Sequence, residues 1–162
     1  MAIEYGDTMY PKRRLSEEIR RIDPPDFSLE KFKNTPYAVL ADLDLPIFMT
    51  TNYDHFLEAA LESRNRVKKA QSEICRWSDK VSTYLIRAGI ESIFKVSKYK
   101  PTRNKPLVFH LHGDINIPQS MVLTETDYND FVIALNSESE RGGYLQSSVL
   151  RSREVYYLSG MT

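Results

Sequence analysis

The chain has 162 residues, of which 41% are hydrophobic and 27% charged, and its formal net charge is zero. These values suit one globular domain, and a neutral chain exerts no overall field that would recruit nucleic acid or a membrane surface. No apolar run approaches the ~20 residues of a membrane span. The single cysteine, Cys75, excludes an internal disulfide and a zinc site built on paired CxxC motifs.

Residues 1–36 form a polar segment that contains the stiff sequence DPPDF and one short helical stretch. We interpret this segment as an N-terminal arm and place the domain itself at residues 37–162. Because the N-terminus lacks an apolar signal region, we expect no signal peptide and a cytoplasmic location.

The first motif follows a short apolar run. LPIFMTT, residues 45–51, predicts a buried strand, and DHFLEAALESRNRV after it has apolar residues at helical spacing. Thr51, Asn52 and Asp54 lie at this junction. Asn and Asp are common helix caps, so these side chains either cap the helix that follows or contact a substrate.

A strongly basic segment follows. Residues 64–105 carry twelve Lys and Arg against three Asp and Glu. We interpret this segment as a helical insertion with a solvated face. The alternative is an anion-binding patch for a nucleotide or nucleic acid, but its irregular spacing matches no nucleic-acid module.

The second motif, PLVFHLHGD at residues 106–114, predicts another strand that ends at a glycine. His110 and His112 are two residues apart, so on a strand they share one face, and His-x-His is also a metal-ligand spacing. Gly113 allows a backbone turn or the close approach of a ligand.

The last part of the chain predicts a helix with Thr124 or Thr126 as its cap, and a strand at 154–162 that reaches Gly160. Strands that alternate with helices favour an α/β layer fold with a mainly parallel sheet. In such sheets, ligands bind at the carboxyl ends of the strands, where both motifs lie.

Taken in order, TTNYD, LHGD about sixty residues later and MVLTETDY resemble the sirtuin-like NAD-consuming domains of bacterial antiphage defence systems. The resemblance extends from about Tyr37 to the end of the chain. It implies a Rossmann-like three-layer fold and NAD as the substrate, with no metal required.

The resemblance also implies roles for individual residues. Asn52 would orient the attacking water, and His112 would polarise a ribose hydroxyl or act as the base. The remaining residues would contact NAD, and they are Thr51, Asp54, Gly113, Gly160 and Thr162. The implied reaction is hydrolysis of the nicotinamide–ribose bond, which yields nicotinamide and ADP-ribose.

Two features of the family are absent. The chain has no Gly-Ala-Gly-x-Ser phosphate turn, and it stops at Thr162, where the family continues. We therefore expect a truncated domain, incomplete relative to the family. The missing zinc ribbon argues against protein deacetylation.

Two other functions remain open. One is a non-catalytic interaction module, whose exposed sheet edge would pair with a second copy or a partner domain. The other is a metal-dependent hydrolase that uses His110 and His112, with Asp114. We expect neither a membrane nor a nucleic-acid partner.

Overall fold

The computed structural model describes residues 7–96 and 99–141, in which three strands form one parallel sheet. The strands are β1 (Ile47–Thr50), β2 (Gln71–Ile74) and β3 (Leu107–His110). Their order in the sheet is β1-β3-β2, so the last strand in the chain is the middle one. All pairs are parallel, which confirms the predicted α/β fold with a parallel sheet.

Helices connect and cover the strands. They are α1 (Tyr10–Ile19), α2 (Pro36–Asp42), α3 (Phe56–Arg64), α4 (Asp79–Arg87), α5 (Ile93–Val96) and α6 (Glu125–Arg141). Two short 3-10 helices lie at Glu30–Phe32 and Pro118–Ser120. Within the described ranges, no helix has both the length and the apolar character needed to cross a membrane.

Side-chain caps fix where several of these helices begin, α2 and α6 among them. The Thr35 hydroxyl accepts a hydrogen bond from the Ala38 N–H at the start of α2. At the start of α6, the Thr124 hydroxyl accepts from the Asp127 N–H, and the Asp127 carboxylate accepts from the Thr124 N–H. This reciprocal pair is a capping box, and it confirms Thr124 as a cap.

The sheet separates two apolar cores, which makes the unit three-layered. One core joins α2 and α3 to one face of β1 and β3 and consists of Phe27, Ala38, Ala41, Phe48, Leu57, Ala60, Leu61 and Val108. The other joins α4 and α6 to the opposite face and includes Ile47, Met49, Ile74, Trp77, Val81, Leu85, Leu107, Phe109, Val122 and Phe131. Alternate residues of each strand therefore point to opposite layers.

The N-terminal segment packs against the rest of the domain through α1. Ser16 is buried, and its hydroxyl donates to the Ile115 carbonyl at 2.5 Å. The Lys12 ammonium group lies 2.7 Å from the Asp127 carboxylate, and both side chains are largely buried. The segment that we interpreted as an arm is thus tied to the loop after β3 and to α6. The proposed boundary at residue 36 stays a prediction.

One part of the sequence interpretation was wrong. We expected the basic segment 64–105 to be a helical insertion, but it contains β2, which forms one side of the sheet. The sequence QSEI carries too little apolar character to predict a strand, and its pairing with β3 provides the missing information. The predicted strand at 154–162 lies outside the described residues.

Candidate active site

The chain segments that leave β1 and β3 stay side by side. Thr50 pairs with His110 as the last pair of the two strands. Beyond it, the Leu111 N–H donates to the Thr50 carbonyl at 2.8 Å, and the Ile115 N–H donates to the Tyr53 carbonyl at 2.9 Å. These bonds place both motifs at the same edge of the sheet, as the sequence predicted.

Asn52 is exposed, and its amide is held from one side only. Its Nδ2 donates to the Tyr37 hydroxyl at 2.9 Å. Tyr37 comes from α2 and packs against the rings of Phe27 and Phe56, and burial raises the pKa of its hydroxyl. Within the described residues, no donor reaches the Asn52 Oδ1. The amide oxygen is therefore available to a water or a ligand.

Asp54 supports the start of α3. Its Oδ1 accepts a hydrogen bond from the Phe56 N–H at 2.9 Å. Its negative charge also contributes, after burial, to the raised pKa of Tyr37. The capping role is thus present, and contact with a substrate stays a prediction, as it does for the partly buried Thr51.

His112 lies on the side of the sheet that α6 covers. Its ring packs edge-on against Phe131, with the ring centroids 5.1 Å apart and the planes at 87°. Partial burial lowers the pKa of His112 below its ordinary value, which favours the neutral imidazole. A neutral imidazole can accept a proton at neutral pH.

Gly113 follows the turn that Leu111 and His112 form. Its φ is +93°, and a Cβ at this position would lie 2.2 Å from the Ser120 carbonyl oxygen. Only glycine fits so close to another backbone segment. The close approach that requires glycine here is made by the protein itself, so the nucleotide contact of Gly113 stays a prediction.

His110 faces the opposite layer from His112. It is fully buried, and its Nε2 lies 2.7 Å from Glu58 Oε1 of α3. The expectation that His110 and His112 share one face was wrong, because β3 ends at His110 and the chain turns before Gly113. The metal site proposed from His110, His112 and Asp114 therefore lacks its geometric basis.

His110 belongs to a cluster that the sequence analysis did not find. His55, Glu58 and His110 form this cluster, and their facing nitrogen and oxygen atoms all lie within 4.8 Å of one another. His55 Nδ1 lies 3.2 Å from Glu58 Oε1, and His55 Nε2 lies 3.1 Å from the Asp114 carboxylate. His110 Nδ1 lies 3.1 Å from the Asn52 carbonyl oxygen, so the cluster contacts the backbone of the first motif.

The charges in the cluster are strongly coupled. Hydrogen bonds to Asp114 and then to Glu58 raise the pKa of His55 to about 10. Burial alone would raise the pKa of Glu58, but hydrogen bonds from His110 and His55 outweigh it and hold that pKa well below its usual range. For His110, burial opposes protonation, yet the Glu58 carboxylate prevails and raises the pKa.

Comparison with known proteins decides the family. A SIR2-like domain model matches residues 46–160, most of the chain.

The chain belongs to the SIR2-like domain family.

Curated relatives of this SIR2-like domain include three proteins named NAD(+) hydrolase ThsA. Those from Bacillus cereus, Enterococcus faecium and Acinetobacter baumannii are 25%, 27% and 26% identical, over 73%, 70% and 81% of the chain. The matched regions are 21%, 20% and 22% of those relatives. The chain thus spans about a fifth of their length.

The match covers both motifs of the SIR2-like domain but begins after α2, so it leaves out Tyr37. Tyr37 gave no sequence signal, because its contact with Asn52 depends on how α2 packs. His55 and Glu58 did give one, since His55 is the residue just before α3 and Glu58 lies three residues later in the first turn. The predicted contacts of Gly160 and Thr162 lie outside the described residues.

A cavity of about 1480 Å³ lies elsewhere on the SIR2-like domain, between α1, α4 and α6. Its lining includes Lys12, Trp77, Val81 and Asp127, and neither Asn52 nor His112 is among the lining residues. The two motifs therefore face another part of the surface, at the open end of the sheet.

Proposed function

We propose that this SIR2-like domain hydrolyses NAD+ at the bond between nicotinamide and ribose. Water would add to the ribose carbon as nicotinamide leaves, which yields nicotinamide, ADP-ribose and a proton. The observation that carries the proposal is the placement of Asn52 and His112 just beyond the paired ends of β1 and β3. Membership of the family and the three relatives named NAD(+) hydrolase support it.

The chemistry needs few groups. Nicotinamide leaves from NAD+ as a neutral molecule, so the leaving group requires no protonation, and the transition state resembles an oxocarbenium ion. The protein has to orient water and exclude competing nucleophiles. In this proposal the Asn52 Oδ1 orients the water, while Tyr37 holds the other end of the amide.

His112 is proposed to take up a proton from the ribose hydroxyl or the attacking water. Its lowered pKa supports this role, because the neutral form is present at pH 7. The proposed NAD contacts are the residues that the resemblance implied, namely Thr51, Asp54, Gly113, Gly160 and Thr162. From the resemblance of TTNYD and LHGD to antiphage domains, we further propose that the reaction serves antiphage defence in the cytoplasm.

A second candidate function is a non-catalytic interaction module. Its support is that β1 and β2 are the outer strands of the sheet formed by residues 7–96 and 99–141, with one paired side each. Unpaired strand edges favour pairing with another chain. The proposed partner is a second copy or a neighbouring domain of a longer protein.

Release of nicotinamide from NAD+, followed by chromatography, tests the first proposal. We expect Asn52→Ala and His112→Ala each to lower the rate by about 100-fold or more, because each removes a group that acts on the reacting atoms. Asn129→Ala changes an exposed amide on α6 and should leave the rate unchanged.

Thermal unfolding of the same variants separates chemistry from folding. The changes at the exposed Asn52 and Asn129 should stay within about 0.5 kcal/mol, whereas His112→Ala also loses its packing against Phe131. Undiminished release by both variants would contradict the assigned roles. No release by a folded wild-type chain would favour the interaction module. Sedimentation would then show whether that chain self-associates.

A further inference from the structure

The cluster of His55, Glu58 and His110 has no part in the proposed NAD chemistry. Two imidazoles and one carboxylate converge there from three places in the chain. His55 precedes α3, Glu58 lies in the first turn of α3, and His110 ends β3. His55 Nδ1 and His110 Nε2 both face the same oxygen, Glu58 Oε1, at 3.2 and 2.7 Å.

The other nitrogen of each ring has an acceptor that fixes its proton. His110 Nδ1 faces the Asn52 carbonyl, which can only accept, so this nitrogen carries the hydrogen. His55 Nε2 faces the Asp114 carboxylate at 3.1 Å and the Asn116 amide nitrogen at 3.2 Å. A metal ion bound at His55 Nδ1 would displace the proton that this nitrogen shares with Glu58. Ligating histidines are typically oriented in this way, with the second ring nitrogen donating to a carboxylate or a backbone carbonyl.

Glu58 also has an incomplete set of contacts. Its Oε1 accepts from the Ser72 hydroxyl at 2.6 Å and faces both histidines. Its Oε2 is buried and has no hydrogen-bond partner within the described residues. A buried carboxylate oxygen without a partner is costly, and a cation bound by both oxygens of the carboxylate would supply one.

We propose that His55, Glu58 and His110 bind one divalent transition-metal ion of the zinc type. Two imidazole nitrogens and a carboxylate oxygen are the three-ligand set that zinc sites use when the fourth position is left to water. The His55 side chain is 36% exposed, which gives the ion and its water access from solvent. The site differs from the His-x-His site considered above, because His112 and Asp114 are not ligands.

The proposed ion would stabilise the first motif without entering the NAD reaction. His110 contacts the Asn52 carbonyl, and Asp114 holds His55 from the loop after β3. An ion that ligates both histidines would join the two segments that leave the sheet. The site stands whether or not the domain hydrolyses NAD, because no ligand of the ion is a proposed catalytic residue.

Metal binding is tested on the full chain after treatment with a chelator, with no NAD present. We expect zinc to bind at one ion per chain with submicromolar affinity in calorimetry. Cobalt(II) should give the visible absorption bands of a four-coordinate site with nitrogen and oxygen ligands. Absence of zinc binding by the folded wild-type chain would overturn the proposal.

One ligand variant, one variant of a supporting residue and one control test the ligand assignment. His55→Gln changes the most accessible ligand and should weaken zinc binding at least tenfold. Asp114→Asn alters the carboxylate that orients His55, and changes of this kind typically lower metal affinity by about 10- to 100-fold. His112→Ala is the matched control and should bind zinc like the wild type. Unchanged binding by His55→Gln, or loss of binding in His112→Ala, would overturn the ligand assignment.

Discussion

His110 and His112 are separated by one residue, yet they lie in opposite environments. His110 is fully buried beneath α3, where the Glu58 carboxylate raises its pKa. His112 lies against Phe131 of α6, where burial lowers its pKa. The Glu58 carboxylate therefore favours the protonated form of His110, whereas partial burial favours the neutral form of His112.

The difference shows how the end of a strand can serve two layers at once. Up to His110, alternate residues of β3 face alternate layers, and after it the chain turns through Gly113. His110 contacts the Asn52 carbonyl oxygen in one layer, while His112 packs against Phe131 in the other. The buried histidine supports the first motif, and the accessible one belongs to the proposed chemistry.

Gly113→Ala should disrupt this arrangement most. The new Cβ would overlap the Ser120 carbonyl, and the positive φ adds strain, so we expect a loss of more than about 3 kcal/mol in the free energy of unfolding. Urea denaturation measures the loss. Gly89→Ala is the control, since its φ is +72° with nothing within 4 Å of the new Cβ. It should lose about 1 kcal/mol, and equal losses at the two positions would contradict the overlap.

Glu58→Gln tests the buried side of the comparison. It removes the carboxylate that faces His110 and His55, and breaking a buried pair costs about 3 kcal/mol. The pKa of Glu58 is lowered in the folded state from its ordinary value of 4.5. The ionised carboxylate therefore stabilises the fold above pH 4.5, and this stabilisation is lost as the pH falls further.

Chemical denaturation of metal-free protein at several pH values measures this effect. Glu62→Gln changes an exposed residue one turn further along α3 and serves as the control. The interpretation would fail if both variants lost the same stability, or if the deficit of Glu58→Gln stayed constant down to acid pH.

Histidine NMR titration compares the two rings directly. We expect His110 to titrate above 6.5 and His112 below it. Because the pKa of His110 is raised, its protonated imidazole stabilises the fold at low pH. This stabilisation is lost as the pH rises through the pKa of the folded state. The lowered pKa of His112 reduces stability as the pH falls below 6.5. His112→Ala assigns the resonance, and a reversed order of the two titrations would contradict the environments described.

The sequence predicted the parts of the fold that local patterns determine. The apolar runs around Ile47–Thr50 and Leu107–His110 are strands, and the helical spacing after Asp54 marks α3. The strand Gln71–Ile74 could not be predicted, because its polar sequence becomes a strand only through its pairing with β3. Strand pairing of this kind depends on tertiary context more than on local propensity.

The candidate site was predictable only in part, for a similar reason. Asn52 and His112 were found because they end apolar runs in a familiar order. The bond from His110 to Glu58 joins residues 52 positions apart, and the support of Asn52 by Tyr37 comes from another helix. Neither contact leaves a periodic pattern in the sequence.

The position of β3 in the middle of the sheet has a consequence for how the chain folds. Ile47 and Gln71 both pair with Leu107, across 60 and 36 positions, and neither outer strand contacts the other. During synthesis, no part of this sheet can form until residues 107–110 have left the ribosome. Contacts over such separations fold slowly. The apolar β1 and the more polar β2 therefore stay unpaired until β3 is made, and this interval is when the nascent chain is most exposed to aggregation.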